Sequence, residues 1–113
     1  MTTRLAVRVG REATHTVVVL TGELDVISAD DLRASLAKVL QDGHTDVIVD
    51  AGGLTFCDSM GLRLLLEYLD LFTEAGGFLR LAGVHGAVLR ILTVTGLRSA
   101  FPIYDTVADA ARG

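Results

Sequence analysis

Asp50-Ala51-Gly52-Gly53-Leu54-Thr55-Phe56-Cys57-Asp58-Ser59-Met60-Gly61-Leu62 joins two segments of opposite character. Before it, Val47-Ile48-Val49 is a continuous apolar run, the pattern of a strand covered on both faces. After it, Leu62, Leu65, Leu66, Leu69 and Phe72 recur at helical spacing, opposite a polar stripe of Arg63, Glu67, Asp70 and Glu74. The pattern predicts a loop over residues 51–57, with Gly52 and Gly53 as turn residues, then a helix from Ser59 to about Ala75 closed by Gly76-Gly77. A helix start exposes unpaired N–H groups and partial positive charge, so the Asp58-Ser59 junction can hold a phosphate. The simpler reading of the residues is a plain cap, since Asp and Ser are favoured caps at any helix.

Upstream, Leu5, Val7 and Val9 alternate with polar or small residues. A polar turn over Gly10–Thr14 then leads to Val17-Val18-Val19-Leu20, which together predict a hairpin. Ser28 is placed to cap a first helix running to Gln41, with Asp30 and Asp31 in its first turn and Leu32, Leu36, Val39 and Leu40 on its apolar face. Downstream, residues 78–82 read as a strand, 87–95 as a short helix stopped at Gly96, Ile103-Tyr104 as a last strand and 107–111 as a terminal helix. Strands alternating with helices imply an α/β fold, a mixed, mostly parallel sheet flanked by helices. In the second helix Leu64, Tyr68 and Leu71 widen the apolar arc beyond a single core contact. At least one of them is therefore expected to be exposed near the Ser59 end or flank of the helix and to face a partner.

The 113 residues are expected to form one domain over 1–113; half are apolar and 21% charged, a globular balance. A net charge of −4, no Trp and no basic run argue against nucleic acid as a partner. No stretch is long and apolar enough for a membrane span and no signal-peptide pattern opens the chain, so a cytoplasmic protein is expected. The single cysteine, Cys57, reads as a small buried hydrophobe, and His15, His44 and His85 lack metal-ligand spacing, so neither a metal nor another cofactor is implied. Asp50 ends a strand as a receiver-domain aspartate would, but the only lysine, Lys38, lies inside helix one. A hydrolase would need a base for Ser59, and only His15 or His85 could reach it through space.

Phe56-Cys57-Asp58-Ser59-Met60-Gly61-Leu62 resembles the phosphorylation motif of bacterial anti-sigma-factor antagonists, which are single STAS domains. Leu20-Thr21-Gly22-Glu23-Leu24-Asp25, Val88, Arg90 and Thr95-Gly96-Leu97 extend the likeness over nearly the whole chain. The resemblance implies a binding module rather than an enzyme. In the family, the serine matching Ser59 is phosphorylated by an anti-sigma factor serine kinase of the histidine-kinase-like ATPase fold and dephosphorylated by a PP2C-type phosphatase. The unmodified protein is then expected to bind the kinase and free a sigma factor, with Asp25, Asp58, Met60, Gly61, Arg63 and Leu64 as partner-binding residues around the acceptor. Asp25 could equally serve only to end a strand, and Met60 stands where the family more often has Ser, Thr or Ala. The alternative role is that of a STAS subunit supporting a lipid-transport ATPase.

Overall fold

The computed structural model describes residues 4–113; residues 1–3 of the domain expected over 1–113 lie outside the described residues. Apolar alternation along β1 (Leu5–Arg11) meets that of β2 (Thr16–Leu24), which returns antiparallel and pairs Val7 with Leu20 and Val9 with Val18, so both strands turn their large side chains to one face. From β2 onward each strand lies parallel beside its predecessor: β3 (Asp46–Cys57), β4 (Phe78–Ala82) and β5 (Ile103–Tyr104), giving the order β1-β2-β3-β4-β5.

Parallel crossovers are right-handed, so a sheet that always steps the same way stacks its crossover helices on one face. Accordingly α1 (Ala29–Gln41), α2 (Ser59–Glu74) and α3 (Gly86–Val94) bring Leu32, Leu36, Leu62, Phe72, Val88 and Leu92 into one apolar cluster with Leu20, Val49 and Leu81. On the opposite face α4 (Val107–Arg112) packs Ala110 with Ile48 and Ala82. Val47, Ile48 and Val49 of β3 are fully buried, as their unbroken apolar run requires. Among the described residues no helix is long and apolar enough to cross a membrane.

The expected loop over residues 51–57 is instead the second half of β3. Its register against β2 slips twice: Val19 pairs with Asp50 but Thr21 with Gly53, and Gly22 pairs with Leu54 but Glu23 with Phe56, so β3 carries one extra residue at each step. These are bulges, which interrupt the alternation and hide a strand from a periodicity reading. Gly52 and Gly53 belong to the first bulge; the Gly52 N–H donates to Asp50 Oδ1 at 3.0 Å, and a Cβ on Gly53 would stand 3.1 Å from the Leu20 carbonyl oxygen. A short 3₁₀ turn, Leu97–Ala100, also precedes β5 and has too few residues to show a period.

The α2–β4 junction shows where close packing rather than dihedral freedom selects glycine. A Cβ on Gly77 would fall 1.9 Å from the Thr45 carbonyl oxygen, an atom that also accepts the Phe78 N–H at 2.9 Å. Gly10, by contrast, has open space around it. Chemical denaturation should show Gly77→Ala losing about 2–3 kcal/mol or more through overpacking against backbone, with Gly10→Ala within about 0.5 kcal/mol of the parent.

Candidate functional site

The parallel pairing of β2 with β3 sets Leu24 opposite Cys57, so both strands end at the same edge of the sheet and the turns that follow lie side by side. Asp58 ties them together. Its Oδ1 accepts the Gly61 N–H at 2.9 Å, which makes it the N-cap of α2, and its Oδ2 accepts the Val26 N–H at 3.1 Å from the other turn. The Asp58 N–H donates to the Leu24 carbonyl at 3.1 Å. With capping assigned to Asp58, Ser59 is the first helical residue and is exposed.

Asp25 and Ser28 organise the neighbouring turn from inside. Asp25 Oδ1 accepts the N–H groups of Ile27 and Ser28, each at 3.0 Å, and its Oδ2 accepts Arg4 Nε at 2.8 Å and forms an ion pair with the Arg4 guanidinium. Hydrogen bonding to Arg4, then to the backbone of Ser28, holds the Asp25 carboxyl down at about 2. Ser28 occupies the N-cap position of α1 without making the expected side-chain cap: its hydroxyl donates to the Glu23 carbonyl at 2.8 Å and accepts the Asp25 N–H at 2.9 Å. Asp25 is itself buried, so what this turn displays is Val26 and Ile27, 62% and 69% exposed. Phe56 and Met60 are also exposed beside the same junction. Sequence reasoning passed over Val26 and Ile27, although two apolar residues between a strand end and a helix start, with no core position to fill, are a signal. Arg4 gave no comparable signal, because its partner lies 21 residues away.

The other expected partner residues divide. Met60 and Arg63 are exposed and, with Ser59, Leu66 and Leu97, line a groove of about 340 Å³ between α2 and the 3₁₀ turn. Leu64 is only 1% exposed and Tyr68 is buried, its ring 6.0 Å from that of Phe72, so neither is offered to a partner. The wide apolar arc is used up because α2 packs on the sheet and on α1 at once. Leu71 is exposed but sits near the far end of α2 from Ser59. Gly61 is buried as a packing slot: a Cβ there would lie 2.7 Å from Leu24 Cγ and 3.0 Å from Cys57 Sγ. Burial, and secondarily the Asp58 charge, push the Cys57 thiol up to about 12, which keeps it protonated and poorly reactive. Neither histidine meets Ser59 as a base: His15 lies at the opposite end of β2, and His85 Nε2 is 2.9 Å from the Gly52 carbonyl oxygen.

A family model described as STAS domain matches residues 6–110. The chain belongs to the STAS domain family. An "Anti-sigma F factor antagonist" of Paenibacillus polymyxa is 32% identical over 95 residues, 83% of this chain and 81% of that one. The crystal structure of an anti-sigma factor antagonist from Mycobacterium paratuberculosis superposes with a TM-score of 0.86 at 26% identity, covering 96% of this chain and 92% of that one. SpoIIAA in its unphosphorylated form shares the STAS fold with a TM-score of 0.80 at 23% identity, covering 94% and 93% of the two chains.

Two outcomes test how this STAS domain holds its site. Because the Asp25 carboxyl is held at about 2, below its ordinary 3.8, its contribution to stability is complete above about pH 4 and is lost as pH falls toward 2. Melting curves should therefore place Asp25→Asn below the parent at pH 7, with the gap narrowing between pH 4 and 2. Asp58→Ala removes a helix cap and the acceptor for Val26, and should cost about 1–2 kcal/mol in urea unfolding at pH 7.

Proposed function

We propose that this STAS domain is an anti-sigma factor antagonist controlled by phosphorylation at Ser59, working in the cytoplasm with an anti-sigma factor serine kinase and a PP2C-type phosphatase as partners. The observation that carries the reading is the exposed Ser59 hydroxyl at the first position of α2, with the capping duty assigned to Asp58 and exposed Val26, Ile27, Phe56 and Met60 around the junction. An exposed apolar group of this kind favours association, and its place beside the acceptor makes binding sensitive to charge there. The name of the Paenibacillus polymyxa relative supports the same role.

In the unmodified form the domain docks on the kinase and frees the sigma factor. The kinase then transfers the γ-phosphoryl group of ATP to Ser59 Oγ: the new O–P bond forms as the bond to the ADP leaving group breaks, and the hydroxyl proton is released. The product carries roughly −1.5 to −2 additional charges at a helix N-terminus, where an anion is tolerated without unfolding. Desolvating that charge beside Asp58 in an interface is costly, so the complex separates while the fold persists. The phosphatase restores the binding form.

Intact-mass measurement after incubation with ATP and candidate kinases from the same genome tests the assignment. The parent should gain one phosphate and Ser59→Ala none, while the variant still binds the kinase in calorimetry, since losing a hydroxyl that does not cap the helix leaves the docking surface in place. Phosphorylation of Ser59→Ala would refute the acceptor. Equal affinity of phosphorylated and unmodified protein for the kinase with ADP would favour a structural role in a transport ATPase complex instead.

A further inference from the structure

We infer that Arg63 is the internal counter-ion of phosphorylated Ser59, and that phosphorylation withdraws its charge from an acidic side chain of the partner; this rests on the switch proposed above. Ser59 and Arg63 are four residues apart on α2, hence neighbours on one helix face, with the anion on the N-terminal side, the favoured order for such a pair. Both line the groove, whose other walls are Met60, Leu66 and Leu97, so among the described residues Arg63 is the only charged side chain lining it.

Competing acids are engaged elsewhere. Glu67, four residues beyond Arg63 and its other natural helix partner, forms an ion pair with Arg33 of α1. Both oxygens of Asp58 accept backbone N–H groups. Among the described residues Arg63 makes no ion pair.

In the unmodified protein, then, a guanidinium stands free beside a neutral hydroxyl and an exposed Met60, a surface that fits a partner's carboxylate set among apolar side chains. A phosphate on Ser59 meets that guanidinium first, because the encounter is intramolecular and the planar fork of Arg matches phosphate oxygens. The partner's carboxylate then loses its attraction and faces a paired dianion. Phosphorylation on this account removes an existing contact as well as adding repulsion.

The test uses full-length protein with phosphoserine genetically encoded at position 59, which needs no kinase, with Arg63 intact or as Arg63→Gln. In a ³¹P NMR titration the Arg63 protein should release its second phosphate proton with a dissociation constant about threefold larger than Arg63→Gln, a difference that shrinks at high salt. Identical titrations overturn the counter-ion role. In calorimetry against the kinase with ADP, Arg63→Gln should weaken the unmodified protein several-fold, Arg63→Lys should recover part of that loss, and Arg63→Gln should change nothing once Ser59 is phosphorylated. A loss of the same size in both forms, or in neither, overturns the withdrawal. A kinase that fails to distinguish Ser59 from its phosphorylated form refutes the switch itself, and the NMR comparison still decides the role of Arg63.

Discussion

One carboxylate holds the functional end of this domain together. Asp58 accepts the Gly61 N–H to start α2 and the Val26 N–H to fix the turn before α1, so the two helix entrances share one side chain. This is possible because parallel pairing delivers the ends of β2 and β3 to the same place, and because a capping aspartate has a second oxygen left after capping. Behind that contact stand the inward-facing ties of Asp25 to Arg4, Ile27 and Ser28 and the seating of Leu24 against Gly61.

Ser59, the proposed acceptor, depends on this arrangement in a particular way. Ser59 heads a helix that presents partial positive charge to it, and a neighbour performs the capping that a serine at a helix start often performs. The hydroxyl is thereby exposed without an unsatisfied helix end as the cost. Charge can be placed on it without removing a hydrogen bond that the fold needs, which suits a residue proposed to be modified reversibly.

Helices and parallel strands were legible because each has a period or an unbroken apolar run. β4 and β5 follow the sequence reading residue for residue, and α2 starts where expected and ends one residue earlier. The second half of β3 was not legible, since two bulges break its alternation and two glycines at the first imitate a turn. The proposed acceptor could be located from the family likeness of Asp58-Ser59 and Gly61, yet the sides that residues present could not. Leu64, Tyr68 and Leu71 look alike on a helical wheel, and only the simultaneous packing of α2 on α1 and the sheet sends two of them inward. Asp25 was similarly ambiguous, because the partner of its carboxylate, Arg4, is far away along the chain.

The division between inward ties and outward display governs how such a domain can diversify. Asp25, Ser28, Leu24 and Gly61 carry the architecture, whereas Val26 and Ile27 project from it with most of their surface free and Met60 with a little under half. If the projecting set forms the proposed docking surface, altering it changes recognition at small cost to the scaffold, as for side chains on loops held by a rigid frame. Under the proposed function, copies of one such domain can therefore drift into mutually deaf signalling channels while keeping the same proposed acceptor chemistry, each insulated from its siblings by a few solvent-facing side chains.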